Sequence, residues 1–323
     1  MTKRLVSISV LACFGMLTAA AGGQSGGTVT IAATVVNKMA VLVSDLTQSD
    51  FQVFDNGKRQ TITTFENAVK PVTMVFLVDR SGNLVWDPNV VWHAAEEFVR
   101  ACVKPGDKAK VGTFSSKVLI APAEFTGDRD ALLEALHASA QSAGWTPLWT
   151  AASAALDALA AQSGRRVLFV ISDNSDAPDT TQANATLADV RAKAAASGVI
   201  VYAIGLTGTI SHGAGQMMTQ GRGGRGGSVS RGGATTATPE LNVTAVPDPG
   251  LKLLSSDTGG DYFEFQPGSN VPDAFAYIGD EIHHQYLIGF LPTVRDGKPH
   301  VIDVRVTKPG LIVKATKTYA ATR

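Results

Sequence analysis

The chemistry in this chain is concentrated at the ends of two apolar runs. Val72-Thr-Met-Val-Phe-Leu-Val78 leads straight into Asp79-Arg-Ser81-Gly-Asn83, a carboxylate, a hydroxyl and an amide in close succession. Arg165-Arg-Val-Leu-Phe-Val-Ile171 leads in the same way into Ser172-Asp173. Short β-branched runs of this kind read as strands buried on both faces of a parallel sheet. Their polar ends then lie at the carboxyl edge, where open α/β sheets bind ligands. Two strands deliver Asp79 and Asp173 to one rim, and that rim is a candidate cation site. Without a metal, the same aspartates would hydrogen-bond nearby loop amides, as Asx turns do.

Other chemistries fit less well. A phosphatase built on an aspartyl nucleophile would place a second aspartate where Ser81 stands. His283-His284 beside Glu281 suggests zinc, but adjacent helical side chains point about 100° apart and do not converge; a solvated helix face is the simpler expectation. Ser172 lies in no G-x-S-x-G elbow and has no motif-level histidine. Asp173, Asp176 and Asp179 lack the central glycine and downstream glutamate of an EF-hand loop. Gly221–Gly227 lacks the Lys-Ser/Thr ending of a phosphate-binding loop.

The elements that must position the rim follow from periodicity. From position 71 strands alternate with helical segments: around 90–102, from 126–130 onward, from Thr146-Pro147 to about Gln162, and around 187–194. Strands fall at 110–114, 117–120, 166–172 and 199–206. This alternation predicts a doubly wound, mostly parallel α/β sheet. Before it, strand-like stretches at 29–36, 39–43, 49–54 and 60–65 form a β module. Asn56-Gly57 between the last two marks a type I′ hairpin. After it, 286–291, 300–306 and 311–319 are β again, with Pro309-Gly310 as a turn. Neither terminal set is large enough to be stable alone. The expected architecture is therefore an N-terminal β module over 28–70, an α/β domain over 71–285, and strands over 286–323 that pack with 28–70 into a small β-sandwich-like module. Within the α/β domain, 207–245 is a Gly-rich insert expected to be disordered. Its three Arg-Gly-Gly steps lack interleaved aromatics and read as linker rather than as nucleic-acid contacts.

Composition supports an ordinary globular core, with 45% apolar residues and equal counts of 28 basic and 28 acidic residues. That balance gives no electrostatic footprint for nucleic acid or an anionic membrane. Lys3 and Arg4, the apolar stretch Leu5–Leu17 and the small residues Thr18-Ala-Ala-Ala21 make residues 1–21 a signal peptide, so the protein is expected to be exported to the periplasm or beyond. The stretch is too short to span a membrane. Cleavage at Cys13 as a lipoprotein is the alternative, opposed by the apolar residues that continue past it. After cleavage near Ala21 only Cys102 remains, which leaves no intrachain disulfide.

Asp79-Arg-Ser81-Gly-Asn83 resembles the D-x-S-x-S signature of the von Willebrand factor type A domain. Gly144-Trp-Thr146-Pro-Leu-Trp149 resembles the threonine loop of that family, and Ile171-Ser-Asp173 its second aspartate-bearing strand end. The order fits, with 67 residues from Asp79 to Thr146 and 27 more to Asp173. Leu46–Lys58, Tyr286-Leu-Ile-Gly-Phe290 and Lys308-Pro-Gly310 are similar to an exported subfamily, the VWFA-related Acidobacterial domain. The resemblance implies a metal-ion-dependent adhesion site for Mg²⁺ (or Mn²⁺ or Ca²⁺). Ser81 and Thr146 would be direct ligands, with Asp79 and Asp173 direct or through water. Asn83 stands where the family has its second serine, offering a longer amide oxygen. An exposed Asp or Glu of a protein partner would complete the shell. The function implied is a non-enzymatic, exported binding protein. The alternative is a metal-independent scaffold or assembly factor; an Mg²⁺-dependent hydrolase ranks last, since no nucleophile or base is spaced with the site.

Overall fold

The computed structural model describes residues 27–81, 86–138, 144–173, 175–212 and 241–321. In chain order the first elements are β1 (Val29–Asn37), β2 (Phe51–Asp55), β3 (Lys58–Gln60), β4 (Ile62–Glu66), β5 (Val72–Asp79), α1 (Pro88–Cys102), β6 (Lys108–Phe114) and β7 (Val118–Thr126). Then come α2 (Arg129–Ala138), α3 (Leu148–Ala160), β8 (Arg165–Ser172), α4 (Leu187–Ser197), β9 (Ile200–Leu206), and a hairpin of β10 (Gly208–His212) and β11 (Leu241–Ala245). The chain finishes with α5 (Pro249–Thr258), β12 (Tyr262–Phe265), α6 (Val271–His283), β13 (Tyr286–Phe290), β14 (Pro299–Val306), β15 (Leu311–Ala315) and β16 (Thr318–Ala320).

The central sheet runs β12-β9-β8-β5-β6-β7. All neighbours are parallel except β7, which is antiparallel to β6. The unbroken apolar runs of β5 and β8 take the two innermost places because both of their faces must be covered. On one face Met74, Phe76, Phe169 and Tyr202 meet Phe98 of α1 and Phe275 of α6. On the other, Val75, Leu77, Leu168 and Val170 meet Leu148, Ala152, Leu156 and Leu159 of α3. Pro88 follows the capping Asp87, whose side chain accepts the Asn89 amide (2.9 Å), so α1 starts where β5 leaves the sheet.

The two chain ends build one sandwich. One sheet runs β15-β1-β13-β4 and the other β16-β14-β2-β3, so each mixes strands from before and after the α/β domain. Phe51, Val53, Tyr286, Phe290 and Tyr319 fill the space between them. The Asn56-Gly57 turn has positive φ at both residues (47° and 78°), as a type I′ hairpin requires. Three expectations need correction. Residues 39–43 form no strand beyond a bridge from Leu42 to Val36, because Asn37 folds its side chain over the amides of Met39 and Val41. The Gly-rich insert is framed by β10 and β11, which pair from Gly208↔Ala245 to His212↔Leu241, and the rest of it lies outside the described residues. Glu281 and His283 are buried, not on a solvated face, because α6 packs that face against the sheet and α1.

A polar joint holds the sandwich to the α/β domain. Arg165, the first residue of β8, is buried and donates to the carbonyls of Ile282 (3.0 Å), His283 (2.9 Å) and Gln285 (2.8 Å). It therefore caps the end of α6 just where the chain turns into β13. His283 bridges to Asp107 (2.8 Å), whose other oxygen accepts the Val72 amide at the start of β5. Tyr202 donates to Glu281 (3.0 Å) and accepts from Gln285 (2.9 Å). Replacing Arg165 by Met is expected to cost about 3 kcal/mol, since buried carbonyls lose their donors. Denaturant unfolding measures this, and an unchanged midpoint would show that the joint carries no stability.

Candidate metal centre

Strand register sets the geometry of the site. β5 and β8 pair in parallel with Val78 opposite Ile171, so Asp79 and Ser172 come level where the strands end. The Ser172 hydroxyl donates to Asp79 Oδ2 at 2.6 Å, inside the protein. Asp79 Oδ1 accepts the Ser81 amide at 2.9 Å, which turns the chain sharply off the strand. The Arg80 amide donates to the Phe114 carbonyl at 2.8 Å, tying the same turn to the end of β6. One residue beyond Ser172, Asp173 Oδ2 accepts the amide of Trp86 (2.9 Å), on the segment that leads into α1. Thr146 pairs with Ala177 through both backbone groups (2.8 Å each), which fixes the loop before α3 beside the loop after β8.

Asp79, Ser81, Thr146 and Asp173 are all buried at this one edge. Asn83 lies outside the described residues. The loops bring the other four sequence candidates to the carboxyl edge of adjacent strands, and the aspartates do accept loop amides. Among the described residues no three His, Cys, Asp or Glu side chains gather as a metal cluster. The donor set instead mixes two carboxylates with two hydroxyls, which suits Mg²⁺ or Mn²⁺ more than a soft ion. One atom tests the fit. Ser81 Oγ is fully buried beside the Asp79 carboxylate and makes no well-formed hydrogen bond among the described residues. A buried hydroxyl without a partner is costly, and a hard cation is a ligand that would satisfy it.

Burial pushes the Asp79 carboxyl above the usual carboxylate range, with the hydrogen bonds from Ser172 and Ser81 pulling the other way. Asp176 is also raised, first by burial and further by the charge of Asp248, whose side chain accepts the Asp176 amide (3.0 Å). This end of the sheet therefore holds two carboxyls whose charged form burial disfavours. Sequence reasoning missed two participants. In sequence Ser172 suggests only a nucleophile, though its place opposite Asp79 follows from register. Asp176 reads as a loop acid, yet it caps α3 at the Trp149 amide (3.2 Å).

Residues 74–175 match the von Willebrand factor type A domain family. No curated protein sequence matches the chain. Among solved structures, an aerotolerance-related membrane protein from Bacteroides fragilis is 15% identical and superposes with a TM-score of 0.46 over 65% of this chain and 98% of that one. A von Willebrand factor type A protein from Catenulispora acidiphila is 11% identical, with a TM-score of 0.45 over 93% of this chain and 64% of that one. The vWF domain of a type V pilus tip protein from Porphyromonas gingivalis is 13% identical, with a TM-score of 0.43 over 66% and 95%.

The raised Asp79 carboxyl has a stability consequence. The folded protein keeps this proton to higher pH than the unfolded chain, so in chelator stability falls as pH rises from about 4 through the folded-state value and then levels. Asp79→Asn removes that fall while keeping an acceptor for the Ser81 amide. The difference in unfolding midpoint between Asp79→Asn and wild type should therefore shift in the variant's favour from acid to neutral pH. A difference that does not change with pH would contradict a raised Asp79.

Proposed function

Residues 74–175 form a von Willebrand factor type A domain, and we propose that its carboxyl edge captures an acidic side chain of a protein partner through a divalent cation. The observation that carries this reading is the buried Ser81 hydroxyl, which adjoins the carboxylate of Asp79 and makes no well-formed hydrogen bond among the described residues. Ser81 and Thr146 would hold Mg²⁺ or Mn²⁺ directly, with Asp79 and Asp173 as the charged members of the set and Asn83 as a further oxygen. The ion would supply positive charge at a rim that holds the carboxylates of Asp79 and Asp173. The chain's part is to fix the donors: β5 and β8 place the aspartates, and the Thr146–Ala177 pairing places the threonine loop.

The role is binding rather than catalysis. The buried histidines are committed elsewhere, His283 to Asp107 and the Gly279 carbonyl, His300 to Asp55 and Asp296. Ser172 gives its proton to Asp79. Export through residues 1–21 belongs to the same reading, and among the described residues no helix is long and apolar enough to cross a membrane. A second reading, a metal-independent interaction scaffold, is favoured by one observation. Asp79 and Asp173 already accept the amides of Ser81 and Trp86, so these loops close without an ion.

Calorimetry separates the two. Mg²⁺ and Mn²⁺ are titrated into wild type, Ser81→Ala and Thr146→Ala, with thermal unfolding in chelator run in parallel. Because the Ser81 hydroxyl makes no well-formed hydrogen bond among the described residues, Ser81→Ala should leave stability within about 0.5 kcal/mol of wild type or raise it. Its metal affinity should fall by about tenfold or more, the equivalent of one lost ligand interaction of about 1.4 kcal/mol. No heat from wild type at millimolar metal sinks the cation-bridged mechanism and leaves the scaffold.

A further inference from the structure

The turn that carries Ser81 also carries a guanidinium with no counter-ion. Arg80 is half-buried, and its guanidinium carbon lies 4.1 Å from the centre of the Trp92 ring. It makes no ion pair or side-chain hydrogen bond among the described residues. The other described arginines differ. Arg129, Arg165, Arg166 and Arg295 donate to backbone carbonyls, and Arg191 and Arg305 pair with aspartates. Arg59 and Arg100 are unpaired, but both are exposed to water. Arg80 alone among them is part-buried with no side-chain hydrogen bond or ion pair to any described residue.

The surroundings account for its position and leave its charge unanswered. Trp92 also contacts His137, whose ring centre is 5.7 Å from its own. Of the two acids on the same helix, Glu97 is exposed to water and Glu96 is already held by His137 (2.6 Å) and faces His93 (3.7 Å). Partial burial lowers the Arg80 pKa, the direction expected of a cation short of solvation. Stacking on an aromatic face orients a guanidinium, yet it uses none of its five N–H donors. A fork of donors fixed in this way matches a single carboxylate, which it binds through two parallel hydrogen bonds.

We propose that Arg80, braced on Trp92, is a carboxylate-binding residue of this rim that engages an acidic segment of the partner without a metal ion. The proposal rests on the reading of the edge as a capture surface for an acidic partner, and it assigns to Arg80 a contact separate from the cation.

The test uses the full mature chain in EDTA, with the indole N–H resonance of Trp92 as readout, identified by Trp92→Phe. The probes are an acetylated tetra-aspartate amide, the matching tetra-asparagine peptide, and inorganic phosphate. Tetra-aspartate should shift the Trp92 resonance saturably and less strongly as salt is raised. Tetra-asparagine should not shift it. Arg80→Gln should weaken tetra-aspartate binding about tenfold, and Arg80→Lys should recover only part, since a lysine keeps the charge and loses the fork. Both variants should unfold at the wild-type temperature. Equal binding by Arg80→Gln, full recovery by Arg80→Lys, equal or tighter binding of phosphate, or no response of wild type to tetra-aspartate each overturns the proposal. Failure of the cation reading appears separately, as absent Mg²⁺ and Mn²⁺ heats in the metal titration, because these binding runs contain chelator.

Discussion

Everything at the rim depends on β5 and β8 lying side by side with both faces buried. Seven residue pairs, from Val72↔Arg165 to Val78↔Ile171, fix their register. A slip of one residue would turn Asp79 away from Ser172 and exchange the two apolar faces of each strand. Such a slip is opposed by the aromatic layer on one side, where Phe76 stacks on Phe169 (5.5 Å) and both meet Phe98. On the other side Leu77 and Val170 press against α3. Hydrophobic packing thus brings two carboxylate-bearing strand ends together, an arrangement that their electrostatics alone would resist.

The second constraint is where the chain leaves the α/β domain. The end of α6 exposes carbonyls toward the interior, and Arg165 answers three of them from the opposite end of β8. One central strand therefore carries the site at its carboxyl end and the joint at its amino end. The sandwich is anchored through the same cluster, because Gln285 and Tyr286 begin the strand that pairs with β1. Tyr286 also donates to the Val43 carbonyl (2.7 Å) and accepts the Leu46 amide (3.1 Å), which holds the first β module against the last. Buried Glu281 sits in this cluster with its carboxyl raised by burial, opposed by the charge of Lys314 from β15.

Charge at the rim is divided between two kinds of group. Asp79, Asp173 and Asp176 concentrate negative potential inward, beneath the loops. Arg80 holds a positive charge at the turn itself, placed by Trp92. A cation seated among the aspartates and the guanidinium of Arg80 would both attract a carboxylate, and they would also repel each other. In the proposed reading, the affinity of the edge for a metal and its affinity for an acidic ligand would therefore be coupled through one turn of chain.

The sequence by itself determined the α/β alternation, the pairing of the terminal β segments, the type I′ hairpin at Asn56-Gly57 and the strand ends at Asp79 and Asp173. These are encoded locally, in periodicity, β-branching and turn residues, or follow from a terminal module too small to stand alone. Only the tertiary structure decided which polar atoms have partners. Ser172 was legible as a strand-end serine, but its bond to Asp79 needed the register. His283 looked like a surface residue because helical spacing does not say what packs on a helix face. Arg165 reads as a flanking charge, yet its three acceptors lie more than a hundred residues away. That neither the Ser81 hydroxyl nor the Arg80 guanidinium makes a well-formed hydrogen bond among the described residues is likewise invisible in sequence, because the satisfaction of a polar atom is a property of its whole surroundings and not of its neighbours in the chain.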